Sequence, residues 1–476
     1  MFLTLMACYV YRTTLSPTVL VMFRDPNDDE SHTDNDVRDR GNGEQSNSGS
    51  LLKFTPRIEL DKTKRGNLLS AYFYGYFITN FTGAILVFLY GPRLMMIIGL
   101  SGSTLFNFLS VAASYIPGCE YEFIFFCRFM IGAFCGPLYS SIHALIAQWS
   151  PKSELTANSV LTHSGNIVGL IVAFGGGYFV DYSLHAWEYY LYFAGVLGVI
   201  TLVYWCFFVY DQPWLHPSIS EEEKEYIITS LYPKGIPKKA IFKDIPFRRM
   251  FTNRYIYIIC VAHVANNFIL YAFLTNHAKY LNYYFKIAPS IASVLSIIPF
   301  VTNTVFQLVA STTISFMQKK INKPVTFHRR VAGCVGFLLS PVFLIPVGFV
   351  GPGGIVSAEV LLSLSMGLLA FNQPGFFTQI IEISPPHASL TMGFSNMMAA
   401  IPGFLTSLLL NQLIVKNGIT DGYKYYFIIT ACLTIFGGSI WLIFCSSERQ
   451  YWENNSVILK KKSISEHKAQ EQVAEA

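Results

Sequence analysis

Apolar runs separated by short polar connectors repeat along almost the whole chain. A helix rises about 1.5 Å per residue, so roughly 20 apolar residues cross the hydrocarbon core of a bilayer. The first such run covers residues 1–23. The others cover residues 67–90, 94–116, 121–147, 157–180, 188–210, 255–278, 288–316, 331–350, 354–382, 389–414 and 424–446. The pattern therefore predicts an all-α membrane protein with about twelve transmembrane helices.

Polar segments divide these predicted helices into two sets of six. After the first helix, residues 24–66 combine acidic residues with a Ser/Asn/Gly-rich stretch, which predicts a disordered loop outside the cytoplasm. Residues 67–210 hold the rest of the first half, and residues 211–254 form a central loop. Residues 255–446 hold the second half, and residues 447–476 form a charged tail. This arrangement resembles the layout of the major facilitator fold.

Lysines and arginines concentrate in the central loop, in the loop after the eighth helix and in the tail. With an even number of helices, these three segments lie on the same side of the membrane. Cytoplasmic loops carry an excess of Lys and Arg, so we predict that both termini are cytoplasmic. The sequence leaves open whether the protein lies in the plasma membrane or in an intracellular vesicle membrane.

Composition narrows the possible functions. Only 13% of the 476 residues are charged, against roughly 25% in soluble domains. The bases form no nucleic-acid recognition motif, so we expect the bilayer and a small anion as partners, and no nucleic acid. The sequence has no Cys-x-x-Cys pair and no Gly-x-x-x-x-Gly-Lys loop, and the apolar runs contain no paired carboxylates. We therefore expect no metal, cofactor, enzymatic activity or obligate protein partner.

Ionisable residues inside the apolar runs are the functional candidates, because a charge at the bilayer centre costs at least about 2.5 kcal/mol. These candidates are Arg12, Arg128, His143, His163, His263, His277, Lys279, Glu359 and Glu382. Neither Arg12 nor Arg128 has an acidic residue within one helical turn. A guanidinium matches the geometry of carboxylate and phosphate, so the two arginines predict a cavity that attracts anions. The structural alternative is a buried salt bridge, or a side chain that reaches out from a helix end.

The other candidates carry weaker signals. His143 lies well inside the fourth predicted helix and could shuttle protons near neutral pH, or serve as a hydrogen-bonded packing residue. Glu359 could carry a coupling proton or lie at the outer interface. Glu382 ends its predicted helix, where we expect it to be solvated. The spacing of Gly165 and Gly169 predicts close contact between helices.

Several sequence blocks, in order, resemble one known family. The blocks are Tyr74–Thr79, Arg128–Gly132, Trp149–Glu154, Gln212–Ser220, Ile383–Ser389, Met392–Asn396 and Ser447–Trp452. Together they are similar to the anion/cation symporter family of the major facilitator superfamily. That family contains the vesicular glutamate transporters, sialin and the type I sodium–phosphate cotransporters. The likeness covers nearly the whole chain and implies the major facilitator fold, with two six-helix halves.

The resemblance also implies a substrate site. Arg12 matches an arginine of the family's first helix, and Arg128 matches a fourth-helix arginine implicated in anion binding. Compared with the family, we expect the first helix of this chain to be shortened at its start. His143 falls where relatives carry histidine, and Asn396 falls in a matching Ser-Asn pair. Asn266 stands where vesicular relatives carry a substrate-facing arginine.

A second departure concerns coupling. Cys135 stands where the vesicular relatives carry a glutamate linked to proton coupling. Together with Asn266, it disfavours glutamate as the substrate and the vesicular mode of coupling.

These observations predict a secondary active transporter that moves a small anion, either inorganic phosphate or an organic anion, by alternating access. The coupling ion would be Na⁺ or H⁺, and His143 and Glu359 are the candidate coupling residues. The alternative is a transport-inactive membrane sensor or interaction protein that keeps the fold. The departures from the family pattern at Phe88, Cys135, Leu155 and Asn266 favour this alternative. Substrate binding without counterflow would distinguish the alternative from a carrier.

Overall fold

The computed structural model describes residues 1–15, 18, 23–24, 58–59, 62–112, 116, 119–179, 186–232 and 241–450. Its α-helices are α1 (Phe2–Thr13), α2 (Lys62–Tyr90), α3 (Pro92–Val111), α4 (Glu120–Trp149), α5 (Leu155–Tyr178), α6 (Ala186–Phe208), α7 (Glu221–Leu231), α8 (Phe247–Phe251), α9 (Arg254–Phe285), α10 (Pro289–Leu295), α11 (Ile298–Lys320), α12 (Val325–Gly333), α13 (Ser340–Leu344), α14 (Ile355–Leu369), α15 (Thr378–Glu382), α16 (Ala388–Ala399) and α17 (Ile401–Phe444). Two short strands, β1 (Phe23–Arg24) and β2 (Ile58–Glu59), pair in parallel.

Short 3₁₀ and π segments extend several of these helices or connect them. The 3₁₀ segments are Pro213–Leu215, Phe242–Asp244, Ile345–Phe349, Ala370–Asn372 and Pro385–His387. The π segments are Cys334–Leu339 and Gln373–Phe377.

Ten helical stretches of the described chain are long and apolar enough to cross a bilayer. The last of them, Pro385–Phe444, has 60 residues, about three times the length that one crossing needs. Its chain reverses at Gly418, where φ is +79°, a value that glycine adopts without a steric penalty. A Cβ on Gly422 would lie 2.9 Å from the Cα of Ile414, whereas eight residues of continuous helix span about 12 Å. This stretch therefore holds two crossings. With α1, the fold agrees with the predicted all-α membrane architecture.

Helix boundaries differ from the prediction where proline and glycine change the backbone. The predicted helix 288–316 consists of α10 and α11, which are separate helices, and Pro299 lies at the start of α11. The predicted helix 354–382 leaves helical geometry at Gly375 (φ −83°, ψ −109°). Proline breaks helices because it lacks the N–H and clashes with the preceding turn. Most of the predicted loop 24–66 and most of the tail lie outside the described residues.

Small residues set the close packing inside the first half. A Cβ on Gly132 in α4 would overlap the carbonyl oxygen of Tyr72 in α2. On α5, a Cβ at Gly165 would overlap the carbonyl oxygen of Phe2 in α1. The close contact predicted for Gly165 is therefore present, and α1 is its partner.

Helices α1–α6 form the first half and α9–α17 form the second. The halves meet where α2 and α4 pack on α16, and where α5 packs on α11. The connecting segment contains α7, whose start is capped by Ser220: the backbone N–H of Glu223 donates to the Ser220 hydroxyl at 3.2 Å. Glu221 and Glu222 also lie in its first turn, where negative charge complements the helix dipole. The phenol of Tyr226 in α7 donates to Glu154 at 3.2 Å, so α7 docks on the connection between α4 and α5.

At the end of the bundle that carries α7, called here the loop end, an ion pair within the second half is also hydrogen-bonded to the first half. Arg329 binds both carboxylate oxygens of Glu382, at 2.6 and 3.1 Å, and donates to Pro374 O at 2.6 Å. Its Nη2 also donates to the Thr156 hydroxyl of the first half at 3.0 Å, and that hydroxyl donates to Gln318 at 3.2 Å. The side chain of Glu382 is only 13% exposed. Our expectation that Glu382 is solvated was therefore wrong, because Arg329 compensates its charge inside the protein.

Candidate functional site

A cavity of about 30 Å³ lies between the two halves. The first half contributes mostly phenols and one cation to its wall: Tyr9, Arg12, Tyr76, Tyr139 and Asn166. The second half contributes a wall rich in carboxamides: Asn266, Asn267, Asn303, Gln307, Gln373 and Asn396. His263 and Tyr271 also line the cavity. The volume of about 30 Å³ exceeds the roughly 10–15 Å³ that a buried water needs, so the cavity has room for a small polar group in this conformation.

Arg12 lies near the end of α1 and places its guanidinium on the cavity wall. The residue is 7% exposed. Its Nη1 donates to the hydroxyl of Tyr271 in α9 at 3.0 Å, across the interface between the halves. The guanidinium carbon lies 4.6 Å from the ring centre of Tyr76 and 4.7 Å from that of Tyr9. Its Nε has no hydrogen-bond partner, and no carboxylate of the described chain pairs with it. Aromatic faces stabilise the cation without neutralising it.

Arg128 has a different position, although its sequence context is similar to that of Arg12. From α4, Nη1 donates to the carbonyl oxygen of Tyr11 at 2.7 Å and Nη2 to that of Arg12 at 2.8 Å. These are among the last carbonyls of α1, which lack partners within the helix. Arg128 therefore holds the end of α1 that carries Arg12. The cavity wall does not include Arg128.

Asn266 and Asn396 both reach the cavity, and both belong to hydrogen-bond chains. The Nδ2 of Asn396 in α16 donates to the hydroxyl of Tyr76 at 2.5 Å and to Asn80 Oδ1 at 2.7 Å, both on α2. The Nδ2 of Asn266 in α9 donates to the Asn267 side chain at 3.2 Å. Asn396 thus connects the halves directly, through the same Tyr76 whose ring contacts Arg12.

The two candidate coupling residues lie away from the cavity wall. His143 is fully buried in α4, where its Nδ1 lies 3.1 Å from Tyr139 O. Glu359 in α14 pairs with His277 in α9 at 2.8 Å, and both side chains are buried. This pair lies beside a second, smaller cavity of about 10 Å³. Glu359 therefore has a buried partner within the second half.

Sequence reasoning missed most of the carboxamide wall. Asn303 and Gln307 are four residues apart in α11, and Gln307 donates to Asn303 at 2.9 Å. That spacing places both side chains on one helix face. Two side-chain amides four residues apart in an apolar run were therefore a sequence signal that could have identified this wall. Tyr271, which holds Arg12, gave no signal, because tyrosine is common at membrane interfaces.

One carboxylate outside the membrane-spanning helices orders the loop end. Asp211, just after α6, accepts a hydrogen bond from the backbone N–H of Arg93 at 2.7 Å. Burial raises the pKa of the Asp211 carboxyl, and the bond to Arg93 opposes that rise. The start of α3 is therefore fixed to the end of α6 on the side where the central segment leaves the bundle.

Comparison with known proteins places this arrangement in a family. Residues 1–407 match the family model described as Major Facilitator Superfamily. Sialin from Ovis aries is 26% identical over 393 residues, which cover 82% of this chain and 77% of the relative. Vesicular glutamate transporter 2 from Bos taurus is 27% identical over 407 residues, covering 85% of this chain and 68% of the relative. The crystal structure of a D-xylose–proton symporter covers 94% of this chain and 98% of its own, with a TM-score of 0.64 and 14% identity.

These matches confirm the resemblance that the sequence blocks indicated. The solved structure supports the fold alone, because its sequence identity is low. The family model spans α1 through the first part of α17 and therefore includes both halves of the cavity wall. The chain is a multi-pass membrane protein with about twelve transmembrane helices, and it belongs to the Major Facilitator Superfamily.

Proposed function

We propose that this protein is a secondary active carrier that binds a small anion at Arg12 and moves it by alternating access. The observation that carries the proposal is the Arg12 guanidinium, which lies on the cavity wall between the halves with no carboxylate partner in the described chain. Burying a charge without a counter-ion is costly. An anion in the cavity would supply that counter-ion.

The rest of the wall supports an oxyanion as the ligand. Carboxamide N–H groups and phenol hydroxyls donate hydrogen bonds. The wall carries both types, with the phenols of Tyr9 and Tyr76 beside Arg12 and most of the carboxamides in the second half. Either inorganic phosphate or an organic anion satisfies this chemistry. The name of one group of relatives, the vesicular glutamate transporters, describes transport of an organic anion. Asn266 stands on the wall where the resemblance led us to expect a second cation, so the wall formed by the described residues carries one positive charge, at Arg12.

Coupling to Na⁺ or H⁺ is part of the proposal. The buried pair of His277 and Glu359 offers one place where a proton could bind, since protonation of either partner changes the pair. The charges support an orientation with the loop end in the cytoplasm. Lys224, Arg248, Arg249, Lys319, Lys320 and Lys323 all lie in connections or helix ends at that end. Both termini would then be cytoplasmic, in a plasma or vesicle membrane.

Uptake into proteoliposomes tests the proposal. Labelled phosphate, urate, glutamate and sialic acid would each be offered under an imposed Na⁺ or pH gradient, and counterflow would be measured beside net uptake. Two unit charges about 4 Å apart at an effective dielectric constant of 20 attract by about 4 kcal/mol. We therefore expect Arg12→Gln to raise the Michaelis constant for the transported anion about 100- to 1,000-fold.

Arg254→Gln is the matched control, because Arg254 is exposed at the start of α9 and bonds only to Tyr255 in the described chain. Arg12→Lys keeps the charge and should recover part of the affinity. No transport of any anion by folded, inserted protein would refute the carrier. Binding of an anion without counterflow would favour the sensor or interaction protein instead.

A further inference from the structure

Two buried histidines form a contact pair between α4 and α5. His143 and His163 are each 0% exposed, and their ring centres lie 5.0 Å apart at an interplanar angle of 72°. The Nδ1 of His143 lies 3.1 Å from Tyr139 O, and that of His163 lies 2.7 Å from Ser159 O. A carbonyl oxygen only accepts hydrogen bonds, so both Nδ1 atoms carry the proton. Each Nε2 is then a basic nitrogen with a free lone pair.

Neither Nε2 atom has a hydrogen-bond partner among the residues that the structure describes. Buried polar atoms are almost always bonded, and exceptions often mark a functional site. A proton bound at either Nε2 would turn that acceptor into a donor, with the second imidazole beside it as the nearest base. A second proton would place two cations in contact, so the pair would hold one proton at a time.

The surroundings of the pair contain no carboxylate of the described chain that would fix its charge. From α4, the titratable neighbour is Tyr139, whose phenol donates to Tyr9 of α1 at 3.2 Å. From α9, the neighbour is His263, which reaches Ser395 at 3.2 Å. The guanidinium carbon of Arg12 lies 4.7 Å from the ring centre of Tyr9. The charge of the pair would therefore depend on whether the pair itself binds a proton, whereas Arg12 stays positively charged.

Phe377, like Tyr139, contacts this pair and lines the central cavity. Its ring centre lies 5.5 Å from that of His163 in the first half and 4.9 Å from that of His263 in the second. Phe377 ends the π segment that leaves helical geometry at Gly375, and it also lines the cavity. Because His163 and Phe377 belong to different halves, movement of the halves would uncover or cover His163.

We propose that His143 and His163 form a shared proton-binding site closed by Phe377, so that H⁺ drives the carrier through this pair. The inference rests on the proposed function and adds the identity of the driving ion and the place where it binds. Proton access to His163 would then depend on the same movement that exposes the substrate cavity. Cys135 replaces the glutamate of the vesicular relatives, and the histidine pair would perform the proton binding in its place.

The test compares His143→Gln and His163→Gln in proteoliposomes, with His216→Gln in the central segment as the matched control. Two readouts are needed: counterflow at equal pH, and accumulation driven by an inward pH gradient. We expect counterflow within about threefold of the unmodified protein, and gradient-driven accumulation at least about tenfold lower. Phe377→Ala, which removes only the lid, should give substrate-independent proton leak, measured with a pH-sensitive dye inside the vesicles.

Failure of the two proposals would look different. Absence of counterflow in the unmodified protein would refute the carrier itself. Intact counterflow together with unchanged proton-driven accumulation in both histidine variants would overturn this inference alone. Loss of accumulation in Glu359→Gln but not in the histidine variants would move the coupling site to the pair of Glu359 and His277. Accumulation driven only by Na⁺ would also overturn it. If His163→Gln does not fold, the accumulation measured with His143→Gln and the proton leak measured with Phe377→Ala still test the inference.

Discussion

The hydroxyl of Thr156 forms a hydrogen-bonded link between the halves at the loop end, and its removal should favour opening of that end. In Thr156→Val the side chain keeps its shape and loses the oxygen. The bidentate pair of Arg329 and Glu382 lies within the second half and should persist when the halves move apart. The bond from Arg329 to Thr156 crosses between the halves, so movement breaks it. We expect the valine variant to populate the conformation open at the loop end more than the unmodified protein does.

The structure sets the size of this effect. The Thr156 hydroxyl accepts from the charged Arg329 at 3.0 Å and donates to Gln318 at 3.2 Å. Bonds to a charged group contribute about 1.5–3 kcal/mol net, and neutral bonds about 0.5–1.5 kcal/mol. In the valine variant Arg329 Nη2 still binds Glu382, so it is not left without a partner. Loss of about 2 kcal/mol from the closed state corresponds to roughly a 30-fold rise in the ratio of open to closed molecules.

Spin labels on the loop end measure that ratio. Lys152 and Lys323 are exposed, one in each half. Cysteines placed there, in a background without the exposed native cysteines, would report the distance between the halves by electron–electron resonance. Thr156→Ser keeps the hydroxyl and should match the unmodified distribution. Identical distributions for the valine and serine variants would refute the reasoning, as would a shift to shorter distances in the valine variant.

Three further predictions concern stability and positioning. Gly132→Ala should reduce the yield of folded, monodisperse protein in size-exclusion chromatography, because overpacking costs at least about 1–3 kcal/mol. In the control Gly353→Ala, the added Cβ meets nothing within 4 Å, so the yield should match that of the unmodified protein. Ser220→Ala should lower α7 stability by about 0.5–2 kcal/mol, seen as faster hydrogen exchange in α7, whereas unchanged exchange would show that the cap contributes little. Arg128→Lys should lower the melting temperature more than Arg12→Lys does, since it weakens two charged bonds of about 1.5–3 kcal/mol each; equal melting temperatures would contradict the positioning role.

The fold was predictable because each crossing leaves an apolar run of characteristic length in the sequence. The limits of that signal are visible at Gly418, where the chain reverses within a helical stretch. The prediction placed residues 415–423 between two helices, whereas helix continues on both sides of the glycine. Breaks at Pro299 and Gly375 were also hard to place, since both residues occur inside transmembrane helices when neighbouring groups satisfy the backbone.

The site was less predictable, because it depends on which helix faces lie opposite each other. Arg12 and Arg128 look alike in sequence: each lies in an apolar run without an acidic neighbour. The packing of α4 on the end of α1 distinguishes them: Arg128 binds backbone carbonyls there, whereas Arg12 lines the cavity. His163 gave a weak signal for the same reason. Its partner His143 is 20 residues earlier, on another helix.

The residues expected to bind substrate are also those that connect the halves. Arg12 of the first half bonds to Tyr271 of the second, and Asn396 of the second bonds to Tyr76 and Asn80 of the first. An anion that engages Arg12 Nη1 competes with the Tyr271 hydroxyl, so its binding changes a contact across the interface rather than adding one at a distance. A ligand shifts a conformational equilibrium only by its difference in affinity for the two states. Here that difference arises directly, since movement of the halves separates Arg12 from the carboxamide wall. Binding and movement are therefore coupled through the same side chains, without a separate transmission pathway.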